Sequence, residues 1–177
     1  MKIIIIGGIA AGMSAAAKFR RLDKDAEIKV YEKTPIVSFG ACGLPYFVGG
    51  FFDNENQMIA RKPEKFKETG IDISIEHEVL SIDVASKKIT VKNLKADETF
   101  EDSYDKLMIA TGASAIIPPI KNFNIENVYT LKSLEDGRIL KEKMKDKDIK
   151  KVAIIGAGFI GLEAVEAAKE YGKEVSV

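Results

Sequence analysis

Lys2-Ile3-Ile4-Ile5-Ile6-Gly7-Gly8-Ile9-Ala10-Ala11-Gly12, at the head of the chain, is the stretch whose reading decides the fold. A short β-branched apolar run such as Lys2–Ile6 has the pattern of a strand buried in a parallel sheet, and the glycines follow it at once. From 13 to 22 small and apolar residues recur at helical spacing and end in Arg20 and Arg21. Residues 26–31 then alternate as a second strand that closes on Glu32. Strand, glycine turn, helix and strand within about thirty residues make a dinucleotide-binding βαβ unit.

In such a turn the first glycine permits the bend, the second lets the backbone approach a pyrophosphate, and the third lets the helix pack on the strand. The phosphates sit at the helix N-terminus. Gly7 and Gly12 fill the first and third places, with Ile9 in the middle. Glu32 stands at the end of the next strand, where a carboxylate accepts hydrogen bonds from an adenosine ribose. The unit recurs near the end of the chain. Residues 152–155 read as a strand, Gly156-Ala157-Gly158-Phe159-Ile160-Gly161 as a turn with all three glycines, 162–171 as a helix and 174–177 as a strand. Two dinucleotide sites in one chain imply electron transfer between two cofactors.

Between the two turns lies Ser38-Phe39-Gly40-Ala41-Cys42-Gly43-Leu44-Pro45-Tyr46-Phe47-Val48-Gly49-Gly50, which holds the single cysteine. The apolar run from Leu44 can open a helix with Pro45 in its first turn, putting Cys42 at a helix N-terminus. The helix dipole there makes a cysteine reactive. A buried structural cysteine is the competing reading, and the flanking turns weigh against it.

Elsewhere, 56–70 reads as a polar loop and a short helix from Pro63 to Gly70. Ile71–Ile75, 78–84 and 88–94 read as strands, and 99–104 pairs with the last of these, giving a small antiparallel meander inserted in an α/β domain. Residues 106–110 return to an apolar strand ending at Thr111-Gly112. After Pro118 and Pro119 comes a lysine- and glutamate-rich helix over 133–145, then a charged connector, 146–151, that marks a domain boundary. The fold class expected is α/β. A Rossmann-like dinucleotide-binding domain with the inserted meander occupies 1–112, a crossover 113–150, and the start of a second Rossmann-like dinucleotide-binding domain 151–177. A lone strand, helix and strand cannot bury both faces of a parallel sheet. The sequence therefore reads as the N-terminal part of a longer enzyme, its last element exposed or covered by another chain.

Composition narrows the function classes. Of 177 residues 46% are hydrophobic and 31% charged, the balance of a globular domain, and Lys+Arg 27 against Asp+Glu 27 argues for neither nucleic acid nor a membrane surface as partner. One cysteine leaves no intrachain disulfide or cysteine-rich zinc site, no metal is expected, and a reducing cytoplasm is the default. Residues 2–17 have the outline of a secretory signal, but glycines sit where a strand should turn into a helix.

The order GGIAAG, YEK at 31–33, SFGACGLPY at 38–46, ATGA at 110–113 and GAGFIGLEA at 156–164 resembles the FAD-dependent pyridine nucleotide-disulfide oxidoreductases. More narrowly it resembles their single-cysteine branch, of the coenzyme A-disulfide reductase and NADH oxidase type. The resemblance covers the whole chain, and Ile9 fits it, since that branch often has Val or Ile in the middle of the turn. It implies that Gly7, Gly8, Ile9, Ala10, Ala11 and Gly12 hold the FAD pyrophosphate, Glu32 and Lys33 its adenosine end, and Val79 the adenine. Thr111, Gly112 and Ala113 would meet the middle of the cofactor, with Lys132 nearby. Gly156, Gly158, Phe159 and Gly161 would hold the NAD(P)H pyrophosphate, with Ile160 and Glu163 facing the nicotinamide.

The resemblance also implies that Cys42 lies beside the flavin and cycles between thiolate and oxidised sulfur, and that the full-length enzyme is a homodimer. Peroxidases and many water-forming oxidases of the branch carry a histidine in the first glycine turn. This chain has Ala10 and Ala11 there, and its single histidine, His77, precedes a predicted strand. That favours reduction of coenzyme A disulfide or persulfide, with coenzyme A as substrate or mixed disulfide and Ser14, Lys18, Arg21 and Ser38 as its ligands. Ala41 departs from an asparagine common in that type. The alternatives are an NADH oxidase passing electrons to oxygen, and a flavin-binding redox module without turnover.

Overall fold

The structure, a computed structural model, describes residues 1–121 and 126–177; residues 122–125, inside the expected crossover, lie outside the described residues. In chain order the elements are β1 (Lys2–Ile6), α1 (Ala10–Leu22), β2 (Glu27–Glu32), α2 (Leu44–Val48), α3 (Pro63–Lys67), β3 (Ile71–Ile75) and β4 (His77–Asp83). There follow β5 (Lys88–Asn93), β6 (Glu98–Ser103), β7 (Lys106–Ile109), α4 (Leu134–Lys145), β8 (Lys151–Ala153), α5 (Phe159–Glu170) and β9 (Glu174–Ser176). They form two compact units, Met1–Gly40 with Ile59–Gly112, and Ala41–Met58 with Ala113–Val177.

In the first unit a parallel sheet runs in the order β3-β2-β1-β7. Ile3, Ile5, Ile28 and Val30 bury one face of it under Met13 and Ala16 of α1, which is why the opening run is apolar throughout. α1 begins at Ala10, three residues before the helical periodicity starts, because the end of the glycine turn is already wound: Met13 N donates to Ile9 O at 3.1 Å.

The meander is smaller than the strand pattern of the sequence predicts. β4, β5 and β6 are antiparallel, but β3 belongs to the parallel sheet, paired in register with β2 from Ile71↔Ile28 to Ile75↔Glu32. Ile71 is fully buried in the same core as β1 and β2, and that burial draws β3 to the parallel sheet. The other face of the sheet, through Ile4 and Tyr31, packs on Ile89 and Val91 of the meander. Tyr31 Oη also donates to Asp102 at 2.7 Å, and Lys2 Nζ reaches the same carboxylate at 2.5 Å.

In the second unit, β8 and β9 pair in parallel, and Val48, Met144, Ala167 and Ala168 join α2, α4 and α5 in one core. Ser133 caps α4 in a capping box with Asp136, which fixes its start where the sequence places it. Ile155, Leu162 and Val177 of the terminal repeat are exposed.

Candidate functional site

In the first unit β1 runs straight into the glycine turn. Gly7 has φ +103°; a Cβ there would overlap the Ala110 carbonyl beyond β7, and one on Gly12 would overlap the Gly7 carbonyl. Only glycine fits at either place. Because the sheet order reverses between β1 and β7, this edge is the crevice at which open α/β sheets bind ligands. α1 starts here with no side-chain cap and no acid in its first turn, so its first amides are available to an anion.

Glu32 is 5% exposed. Its Oε2 accepts from Gly8 N at 2.6 Å, and its Oε1 accepts from both N and Oγ1 of Thr34 at 2.8 Å. Oε1 is thus filled, while Oε2 keeps a free acceptor position. The carboxylate thereby braces the glycine turn. Val79 and Thr111, with Ile6, Ile82 and Ile109, line a cavity of about 290 Å³, whose apolar wall suits an aromatic base. Gly112 has φ +71°, and Lys33 is exposed. Ser14, Lys18 and Arg21 are exposed and share one face of α1 at i, i+4 and i+7. Ser38 has φ +54° and is held by both backbone groups, its N donating to Gly8 O at 2.8 Å and its O accepting from Ala60 N at 2.9 Å.

In the second unit Cys42 is an exposed free thiol in the middle of a 3-10 turn, Ala41–Gly43, that leads into α2. Pro45 sits in the first turn, as expected, but the N-cap is Gly43, one residue after Cys42. Gly43 is already helical, with φ −78° and ψ −13°, so the chain begins to wind upstream of the proline. The second glycine turn repeats the first: Gly156 has φ +114°, a Cβ on Gly161 would overlap the Gly156 carbonyl, and α5 starts at the N-cap Gly158 without a side-chain cap or an acidic residue. Phe159 and Ile160 are exposed, Glu163 is half-buried, and Ala113 and the Lys132 side chain are exposed. Lys132 N donates to Asp136 at 2.8 Å within the α4 cap.

Glu55, Arg138 and Lys141, which no motif marks, fasten the cysteine segment. Arg138 Nε donates to Glu55 Oε2 at 2.8 Å, and this hydrogen bond holds the Glu55 carboxyl below the usual carboxylate range. The signal for Lys141 was its position, since Leu134, Gly137, Lys141 and Met144 form the buried stripe of α4.

Among the described residues no helix is long and apolar enough to cross a membrane. The family described as pyridine nucleotide-disulphide oxidoreductase matches residues 1–177. An NADH oxidase of Enterococcus faecalis is 38% identical over 177 residues, 100% of this chain and 39% of that protein. A coenzyme A disulfide reductase of Staphylococcus haemolyticus is 37% identical over 177 residues, 99% of this chain and 40% of that protein. The structure of an NAD-dependent persulfide reductase from A. fulgidus superposes with TM-score 0.91 at 39% identity, over 99% of this chain and 33% of that one. The chain therefore spans about two-fifths of the length of the curated relatives it matches.

Proposed function

The chain belongs to the pyridine nucleotide-disulphide oxidoreductase family, and on that premise we propose that the full-length protein is an FAD-dependent NAD(P)H oxidoreductase that reduces a disulfide or persulfide of coenzyme A through Cys42. The observation that carries this reading is the pair of glycine turns with one backbone geometry, each opening an uncapped helix. Residues 7–12 take the FAD pyrophosphate, with Glu32 and Lys33 at the adenosine and the cavity at Val79 for the adenine. Residues 156–161 take NAD(P)H. Residues 1–112 are the first part of the FAD-binding domain, 113–150 the crossover and 151–177 the start of the NAD(P)-binding domain. FAD bound there would supply two-electron transfer from NAD(P)H to sulfur.

The chain's own part is played by Cys42. Its sulfur attacks one sulfur of coenzyme A disulfide; the S–S bond breaks, one coenzyme A leaves as thiolate, and a mixed disulfide with Cys42 forms. Two electrons and one proton, the hydride equivalent of one NAD(P)H, then break that mixed disulfide, restoring the Cys42 thiolate and releasing the second coenzyme A as a thiol. An exposed thiol suits such an attack. Lys18 and Arg21 pair with the phosphates of coenzyme A, and Ser14 and Ser38 add hydroxyls. In this reading the full-length protein is a cytoplasmic homodimer.

Similarity to an NADH oxidase favours oxygen as the second candidate acceptor. Thiol release from coenzyme A disulfide, measured beside oxygen uptake in the full-length protein, separates the two. The Cys42→Ser variant should keep its flavin and lose thiol release. Thiol release that survives in Cys42→Ser removes the cysteine from the reaction, and oxygen uptake without thiol release in the unsubstituted protein replaces the reductase reading with the oxidase one.

A further inference from the structure

On the buried stripe of α4 a lysine stands where helical spacing calls for an apolar residue. Lys141 is 4% exposed, and a buried ammonium is tolerated only when it is paired. Its Nζ donates to Phe52 O at 2.7 Å and to Asp53 Oδ1 at 2.8 Å, and lies 4.3 Å from the centre of the Phe47 ring. The Asp53 carboxylate is 90% exposed, so solvent screens that pair. The Phe52 carbonyl and the Phe47 ring remain as the contacts that hold the ammonium in place.

All three partners lie on α2 or just after it. One helical turn earlier on the stripe, a Cβ on Gly137 would come within 2.7 Å of Leu44 Cδ2, so α4 lies directly against the residue two positions after Cys42. Met58 closes on the 3-10 turn itself, since a Cβ on Gly43 would meet Met58 Cγ at 2.9 Å. The turn that carries the sulfur is thus covered by Met58 and continues into the helix that packs on α4, and Lys141 ties down the loop that returns from α2 to Met58.

We propose that Lys141 is a positioning residue for Cys42: by holding the Phe47 ring and the Phe52 carbonyl on α4, it sets the 3-10 turn that presents the sulfur. This rests on the reading of Cys42 as the redox cysteine. If the lysine only filled space, methionine, of similar length and apolar, would replace it without penalty, because an apolar residue of equal volume often serves as well as a buried ion.

The test uses the flavin-bound full-length protein with Lys141→Met, Lys141→Arg and Cys42→Ser. It reads kcat and KM for thiol release from coenzyme A disulfide, the rate of Cys42 alkylation by iodoacetamide, flavin content and Tm. Lys141→Met should keep its flavin, lower kcat about tenfold to a hundredfold with KM for the nicotinamide unchanged, and change the alkylation rate severalfold. Lys141→Arg, which keeps a donor for the Phe52 carbonyl, should restore most of both. If Lys141→Met loses its flavin, Lys141→Gln, which is shorter and uncharged and so cannot hold both the Phe47 ring and the Phe52 carbonyl, takes its place with the same outcomes. Unchanged kcat and alkylation in Lys141→Met, alongside loss of thiol release in Cys42→Ser, overturn the positioning role and leave the proposed function standing. Thiol release that survives in Cys42→Ser sinks the proposed function instead, and the alkylation rates still decide whether Lys141 sets the turn.

Discussion

The buried Glu32 carboxylate accepts from Gly8 and Thr34, and in the proposed function its remaining acceptor position takes a ribose hydroxyl. Glu32→Ala should weaken FAD binding by about 1.5–3 kcal/mol, the range for hydrogen bonds to a charged group. It should also lower stability, because the Gly8 and Thr34 N–H groups lose their acceptor. Flavin retained through gel filtration, compared with the denaturation midpoint, separates the two effects. A fallen midpoint with full retention would show that the carboxylate serves only the turn.

The two glycine turns are alike as elements, and substitution can tell their roles apart. An alanine Cβ at Gly12 or Gly161 would strike a backbone carbonyl of the same turn, and backbone cannot step aside as a side chain can, so the helix start must move. In the full-length protein Gly12→Ala should lose flavin. Gly161→Ala should keep flavin and raise KM for NAD(P)H. Flavin content and steady-state kinetics on the two variants check this, and a Gly161→Ala protein that loses flavin instead would reverse the assignment. The cap of α4 makes a milder prediction: Ser133→Ala should cost about 1 kcal/mol of stability, read as a lower denaturant midpoint.

Across the whole molecule, the first unit joins its parallel sheet to the meander through Lys2, Tyr31 and Asp102. Burial alone would push Asp102 up, but hydrogen bonds from Lys2 and Tyr31 outweigh it and hold the carboxyl below the usual carboxylate range. Burial, with the Asp102 hydrogen bond, pushes the Tyr31 phenol far above its ordinary value. A depressed carboxyl contributes stability that is complete above its unfolded pKa of about 3.9 and is lost as pH falls through the folded value. A raised phenol contributes stability that is complete below about 10 and is lost as pH rises beyond it. The denaturation midpoint should therefore fall on both limbs, and Asp102→Asn should flatten the acid limb. An acid limb as steep in Asp102→Asn as in the parent would show that the cluster contributes nothing there.

Residues near in sequence determined much of this protein. A β-branched run, a glycine turn and a helical spacing make a βαβ unit by local sterics alone, so both turns, the start of α4 at Ser133 and the exposed basic face of α1 were legible from the chain. Tertiary packing decided the rest. β3 joins the parallel sheet because the core takes Ile71, Glu32 accepts from Gly8 because β2 ends beside the turn, and Lys141 is buried because α4 lies on α2. None of these follows from spacing, since each depends on which distant surface covers the residue. A lysine in a charged helix reads as solvated until a carbonyl and an aromatic ring from another part of the chain close over it.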